Sequence, residues 1–108
     1  MRLNAGTGIA QCLADGIKVE LSKHCEEQMM VRDITIEQVE TVMNNPNDSY
    51  YDNQRQNYKT YGKVNNPVRE DMPYLVLIHN KINTSVRIIT AMWADEGGLR
   101  AHGFNTIR

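Results

Sequence analysis

"PYLVLIHNKINTSVRIITAMW", residues 73–93, holds two apolar runs of strand length with the polar segment 80–84 between them. This arrangement predicts a β-hairpin. Strict alternation would place four side chains on each face of the second strand: Arg87, Ile89, Ala91 and Trp93 on one, Val86, Ile88, Thr90 and Met92 on the other. Since both faces are largely apolar, we expect this hairpin to lie in the centre of a sheet that is covered on both sides.

The segment before the hairpin supplies further strands. "SYYD" and "QNYKTYGKV" are rich in tyrosine and threonine, which strands favour, and they precede a loop over residues 64–73. Closer to the amino terminus, Ile17, Val19 and Leu21 alternate with charged residues, a pattern typical of a short, half-buried strand.

Two capped helices lie within "LSKHCEEQMMVRDITIEQVETVMNNP", residues 21–46. Ser22 is a suitable N-cap for the first helix, which we expect to end at Asp33. Thr35 and Gln38 fit a capping box for the second, which Pro46 terminates. The sequence therefore predicts an α+β fold with two N-terminal helices packed on a three- to four-stranded antiparallel sheet.

Length and charge describe one ordinary domain. The 108 residues are divided into an expected N-terminal arm (1–16), a core (17–93) and a C-terminal tail (94–108). The net charge of −1 does not indicate a strongly basic nucleic-acid binder. Residues 20–48 hold seven acidic and two basic side chains, whereas residues 53–69 hold four basic and no acidic ones. We therefore expect two surfaces of opposite charge.

Several functional classes find no support in the sequence. No apolar run approaches the roughly 20 residues of a membrane span, so a cytoplasmic protein, or a piece of a larger secreted one, is expected. No C-x₂-C or H-E-x-x-H spacing occurs, and we expect neither a metal nor another cofactor. Cys12 and Cys25 are expected to stay reduced, and Cys25 lies on an apolar stripe where thiols are usually inert.

His24 and Arg32 are the first candidates for a functional site. They lie on the first helix, where His24 is either a partly exposed polar residue on the helix rim or a proton carrier facing a partner surface. His79 and His102 are candidates for a second proton carrier, and their spacing does not choose between them.

The strands offer the other candidates. Arg87 in a covered strand needs an anion or a carboxylate, unless it lies near the strand start with its head in solvent. Thr90 is suitable for hydrogen bonding and is also an ordinary strand residue. Tyr58, Lys59 and Tyr61 combine stacking faces with a phosphate contact, or they form an edge strand that lysine protects from association.

The capped helices and the hairpin together resemble a small bacterial domain family of polymorphic and contact-dependent toxins. The shared pattern runs through "LSKHCEEQMMVRDITIEQVETVMNNP" and "YLVLIHNKINTSVRIITAMW", and the resemblance covers residues 17–93. The organisation is similar to that of BrnT and RelE toxins and of the wider Barnase–EndoU–Colicin–RelE ribonuclease group.

This resemblance implies a metal-independent endoribonuclease toxin domain, with transfer RNA as a candidate substrate and a cognate immunity or antitoxin protein as a partner. His24 would be the general acid or base, and Arg32 and Arg87 would bind the scissile phosphate. Thr90 would hydrogen-bond a phosphate oxygen, and the strand at Tyr58, Lys59 and Tyr61 would bind substrate. Two alternatives stay open: a non-catalytic binding or regulatory module that recognises a protein, and a metal-free hydrolase that uses Cys25.

Overall fold

The computed structural model describes residues 11–12, 18–82, 85–105 and 107, and it has an α+β architecture. Within these residues the elements follow in the order β1 (Gln11–Cys12), β2 (Lys18–Leu21), α1 (Lys23–Arg32), α2 (Ile36–Asn44), β3 (Asp48–Asp52), β4 (Asn57–Lys63), β5 (Tyr74–Ile82), β6 (Ser85–Ala94) and α3 (Glu96–Ala101). The expected arm over residues 1–16 lies outside the described residues except for β1.

The described strands form one sheet in the order β1-β2-β6-β5-β4-β3. The hairpin prediction is confirmed, since β5 and β6 pair antiparallel in the middle of the sheet. The predicted sheet of three to four antiparallel strands had too few strands. The predicted strand orientation was also wrong at one position, because β2 pairs parallel to β6. Parallel neighbours are joined through distant parts of the chain, so local alternation carries no signal for them.

Both helices begin and end where their caps predicted. The Ser22 hydroxyl accepts a hydrogen bond from the backbone N–H of Cys25, and α1 ends at Asp33, which takes a left-handed conformation. Thr35 and Gln38 form the complete capping box of α2. These signals depend on residues three or four positions apart, and for this reason they can be read locally.

Helices α1 and α2 cover one face of the sheet, which we call the helix face. The larger core lies here, where Cys25, Met29, Val39 and Val42 of the helices meet strand residues. The strand residues of this core are Val19, Leu21, Leu75, Leu77, Val86, Ile88 and Ala91.

The opposite face, called the second face, is covered by α3 and the chain after it. A smaller core lies there, in which Leu99 and Phe104 pack on strand residues. Its buried strand residues are Tyr61, Tyr74, Val76 and Ala94, with Tyr50 and Met92 packed at its border. The part of the second face around Lys59, Asn80 and Arg87 lies beyond this core, and we call it the open half.

A β-bulge in β6 overturns the predicted alternation. Ile78 is paired with Thr90, but the next residue, His79, is paired with Ile88, so Ile89 is the extra residue. As a result Val86, Ile88 and Ala91 all face the helices. Arg87 and Thr90, which strict alternation assigns to opposite faces, both lie on the second face.

Candidate functional site

His24, Gln28 and Arg32 form a hydrogen-bonded ridge along α1. The Gln28 amide lies 2.8 Å from the Nε2 atom of His24, which is exposed. Arg32 Nη1 donates to the Oε1 atom of Gln28 over 3.3 Å. An amide N–H that donates to His24 requires an unprotonated Nε2, so this arrangement fits the neutral imidazole.

Arg32 joins α1 to β6. Its Nη1 atom donates to the backbone carbonyl of Ala91 over 2.8 Å, and the Trp93 indole donates to the carbonyl of Arg32 over 2.9 Å. The described pairing of β2 with β6 reaches only to Ile88, so Arg32 satisfies a carbonyl further along that edge. This geometry gives the guanidinium a structural partner and does not support its predicted contact with a scissile phosphate.

The variant Arg32→Met keeps the side-chain stem and removes the donors to Ala91 and Gln28. We expect the free energy of unfolding to fall by about 1–3 kcal/mol, because a partly buried carbonyl loses a charged donor. Urea denaturation measures the change. Lys23→Met, at an exposed position of the same helix, is the matched control and should leave stability nearly unchanged. Equal stability of the two variants would show that the joint contributes nothing.

Polar side chains from five strands line the open half of the second face. Register places Tyr50, Lys59, Ile78 and Thr90 in one row across the sheet. A neighbouring row holds Asp52 with Asn57, and Asn80 with Arg87 and Glu20. We call the polar members of the two rows the polar strip: Glu20, Tyr50, Asp52, Asn57, Lys59, Asn80, Arg87 and Thr90.

Lys59 is the buried cation of the polar strip. The residue is 6% exposed, and its Nζ atom lies 3.2 Å from Oδ2 of Asp52 and 6.0 Å from the centroid of the Tyr50 ring. Asp52 also accepts hydrogen bonds from the backbone N–H groups of Gln54 and Arg55. The N–H of Arg55, followed by Lys59, lowers the pKa of Asp52. The ionised carboxylate therefore fixes both the β3–β4 turn and the position of the Lys59 ammonium.

The burial of Lys59 corrects one predicted alternative. Lysines were expected to protect an edge strand, but β4 has β3 on one side and β5 on the other. Lys59 is consequently held inside the sheet surface, and its charge is fixed in place.

His102 follows α3 and lies near the buried cation. The hydroxyl of Tyr50 donates to the backbone carbonyl of His102. The pKa of His102 is lowered mainly because the ring is partly desolvated, and further by the positive charges of Lys59 and Arg55. A half-buried imidazole whose surroundings favour the neutral form is suited to accept a proton.

Arg87 and Thr90 complete the polar strip. The Arg87 side chain is 51% exposed, and its Nη2 atom lies 3.7 Å from Oε1 of Glu20, so a carboxylate is its partner. Thr90 is half-buried across from Ile78. Lys59, Arg87 and Thr90 therefore share one face, whereas His24 and Arg32 belong to a helix that packs on the other.

The two predicted tyrosines do not lie on the polar strip. Tyr61 is fully buried between Tyr74 and Phe104, with ring centroids 5.6 and 4.7 Å away, and it cannot contact a substrate there. Tyr58 lies on the helix face, stacked on His79 at 5.6 Å. Sequence alternation could have separated Tyr58 from Lys59, but it could not show that α3 covers Tyr61.

His79 is excluded as a proton carrier near neutral pH. It is 6% exposed, and its Nε2 atom lies 2.7 Å from the Thr60 hydroxyl, which in turn contacts Ser49 at 2.8 Å. Desolvation, followed by the charge of Lys81, lowers the pKa of His79 to about 4. Its Nδ1 atom is buried without a partner among the described residues, which favours the tautomer with the proton on Nε2.

His79 should make the protein less stable in acid. Its pKa in the folded chain, about 4, lies below its ordinary value, so folding favours the neutral ring. The resulting stability is complete above pH 6.5 and is lost as the pH falls towards 4, a total on the order of 3 kcal/mol. Urea unfolding across this interval should show a shallower pH dependence in His79→Gln than in wild type. His24→Gln, at an exposed position, should retain the wild-type slope; identical slopes in all three proteins would contradict the assignment.

Cys25 does not behave as a nucleophile in this setting. The residue is completely buried, its Sγ atom lies 3.7 Å from the Met29 sulfur, and burial raises the pKa of the thiol to about 12. The thiolate that catalysis needs is thus strongly disfavoured. Among the described residues, no three His, Cys, Asp or Glu side chains cluster closely enough to hold a metal ion. No helix of the described chain has the length and apolar character required to cross a membrane.

One family model matches the chain. It is described as a domain of unknown function, DUF4258, and it covers residues 21–93. The match runs from the end of β2 to Trp93 in β6, so it includes His24, Lys59, Arg87 and Thr90, and it stops before His102. No curated protein and no solved structure matches the chain.

Proposed function

Since the chain belongs to the DUF4258 family, described only as a domain of unknown function, we propose its activity from the geometry. The proposal is a metal-independent endoribonuclease whose RNA substrate binds to the open half of the second face. One observation carries it: the backbone carbonyl of His102 accepts a hydrogen bond from Tyr50, whose ring centroid lies 6.0 Å from the Lys59 ammonium, on the face that also bears Arg87 and Thr90.

The residues meet the chemical needs of RNA cleavage by its own 2′-hydroxyl. His102 accepts the proton of the 2′-hydroxyl while the oxygen attacks phosphorus and the bond to the 5′-oxygen breaks. The protonated ring can return that proton to the departing oxygen. Lys59 and Arg87 supply positive charge for the phosphorane, and Thr90 donates a hydrogen bond to a phosphate oxygen. The products are a 2′,3′-cyclic phosphate and a 5′-hydroxyl end.

The architecture supports the same proposal. Two helices cover one face of the sheet and leave the open half of the second face for substrate, as the resemblance to RelE and BrnT implies. The acidic side chains of the segment 20–48 belong mainly to the helix layer. RNA that approaches the second face meets Arg55, Lys59 and Arg87 and avoids most of this negative charge.

His24 has a different place in this proposal from the one that the resemblance implied. Its observed partner is Gln28, on a helix that packs on the opposite side of the sheet. We therefore assign proton transfer to His102 and treat the α1 ridge as a part of the scaffold. Because the family match includes His24 and not His102, the two histidines must be tested side by side.

Incubation of the chain with end-labelled single-stranded RNA and with transfer RNA, in the presence of EDTA, tests the activity. We expect fragments that end in a 2′,3′-cyclic phosphate. His102→Ala should lower the rate at least about a hundredfold, because general-base catalysis typically contributes that much. Arg87→Gln should mainly weaken binding, since its side chain is solvent-accessible and water screens its ion pair with Glu20, which a phosphate would replace.

The control is His24→Ala, which removes an exposed histidine from the other layer and should leave the rate within about threefold of wild type. If His24→Ala abolishes cleavage and His102→Ala does not, the site belongs to α1 instead. No cleavage or binding of either RNA by the wild-type chain would overturn the proposed function itself.

A ribonuclease of this kind acts on its target in a bacterial cytoplasm, and its producer needs an inhibitor. We therefore include a cognate immunity or antitoxin protein among the proposed partners. Its contact surface would have to cover the polar strip or hold α3 away from it.

A protein-binding module is the second candidate, and a separate surface favours it. Met30 is 81% exposed, Val31 84% and Val68 59%, an unusual amount of exposed apolar surface for three neighbouring side chains. They border adjacent clefts between the end of α1 and the loop 64–73.

The triple variant Met30→Ser, Val31→Ser, Val68→Ser tests that candidate by co-purification from the bacterial host. Loss of a stoichiometric protein partner, together with wild-type RNA cleavage, would separate the two surfaces. A wild-type chain that cleaves no RNA but retains the partner would favour the binding module.

A further inference from the structure

We propose that Tyr50 is a positioning residue that holds His102 over the polar strip. The inference rests on the proposed function, because it concerns the group to which proton transfer is assigned. Tyr50 lies in β3, outside the set of residues that the resemblance marks for the site.

Tyr50 touches both the scaffold and the proposed site. Its ring meets Phe104 edge-on at a centroid distance of 5.2 Å, on the border of the smaller core. The same ring also lies near the buried cation, since the Lys59 ammonium is 6.0 Å from its centroid. Its hydroxyl donates to the carbonyl of His102. One side chain therefore links β3, the buried cation and the chain after α3.

The chain after α3 is shaped around this hydroxyl. Gly103 has φ 97°, in the left-handed region, and a Cβ atom at this position would collide with the Tyr50 hydroxyl. Phe104, the residue after Gly103, is only 1% exposed and packs against the rings of Tyr50 and Tyr61. Gly103 thus permits the close approach of the Tyr50 hydroxyl, and the packing of Phe104 fixes the chain that follows. Together they keep the carbonyl of His102 within hydrogen-bonding distance of Tyr50.

The other ties of His102 are weak in comparison. Its backbone N–H is bonded to carbonyls of Gly98 and Leu99 within α3, a helix of six residues. So short a helix is marginal by itself and depends on tertiary contacts. Without the Tyr50 hydroxyl, we expect the turn at His102 to move away from the sheet while Phe104 stays anchored.

The groups around His102 make this movement measurable. Lys59 from β4 and Arg55 from the β3–β4 turn act on its ring, Tyr50 of β3 binds its carbonyl, and α3 itself carries Glu96 paired with Arg100. If the turn moves outward, the imidazole gains solvent and leaves the two cations. The pKa of His102 then rises towards its ordinary value of about 6.5.

Tyr50→Phe, which keeps the ring and removes only the hydroxyl, is the decisive variant. NMR titration of the histidine ring protons should show a higher pKa for His102, with His24 unchanged as an internal reference. In the cleavage assay we expect kcat to fall about tenfold with KM nearly constant, the loss of roughly one hydrogen bond's worth of positioning. The acidic limb of the pH–rate profile should shift upward with the NMR pKa.

Tyr51→Phe is the matched control, since it removes a hydroxyl from the same strand on the opposite face, and it should change neither readout. Gly103→Ala places a Cβ atom against the Tyr50 hydroxyl and so forces the turn at His102 away from Tyr50. This second variant should reproduce the raised pKa of His102, and it keeps the test available if Tyr50→Phe folds poorly. An unchanged His102 pKa and kcat in Tyr50→Phe would overturn the inference. A raised pKa in a chain that cleaves no RNA would instead retain the positioning role and refute the proposed function.

Discussion

The β-bulge at Ile88–Thr90 is the constraint on which the rest of the arrangement depends. One extra residue in a central strand changes the face of every side chain that follows it. Because of it, Ala91 turns towards the helices and Thr90 joins Arg87 on the second face. The indole of Trp93 also reaches the carbonyl of Arg32, and Arg32 reaches the carbonyl of Ala91. The same irregularity thus fixes the docking of α1 and composes the polar strip.

The sequence predicted those elements whose signals are local. The helix caps depend on backbone groups three residues away, as at Ser22 and in the capping box of Thr35 and Gln38. Two apolar runs with a polar segment between them indicated the hairpin. The parallel pairing of β2 and the bulge in β6 depend on residues that are distant along the chain. Neither alternation nor propensity carries information about such contacts, and both were missed.

The candidate site likewise contains residues that residue type could indicate and residues that only the fold could reveal. Residue type drew attention to Lys59, Arg87 and Thr90, and the bulge then placed the last two on the face that also bears Lys59. Asp52 went unnoticed, although an aspartate at the end of a strand, directly before a turn, commonly binds the backbone N–H groups of that turn. The choice between His79 and His102 required the fold, because desolvation and neighbouring charge are properties of three-dimensional surroundings.

His79 and His102 show why a lowered pKa does not by itself mark a functional site. Burial, the larger cause for both rings, leaves His79 enclosed between Tyr58 and Thr60 with no path to a substrate. Positive charge lowers both pKa values further, from Lys81 at His79 and from Lys59 and Arg55 at His102. Under the proposed function, a phosphate attracted by Lys59 and Arg55 would come to the half-buried imidazole of His102, whereas the enclosed ring of His79 is out of its reach.

The two ion pairs of the polar strip differ in a way that suits an anionic ligand. Lys59 and Asp52 are both largely shielded, at 8% and 16% side-chain exposure, and removing either partner would leave an uncompensated charge. Arg87 and Glu20 are 51% and 36% exposed and lie 3.7 Å apart, so water screens their attraction. Under the proposed function, a phosphate would displace Glu20 from Arg87 at little cost while Lys59 stays fixed. The strip thereby combines one fixed positive charge with one guanidinium whose ion pair is screened, an arrangement that the proposed binding of an RNA phosphate requires.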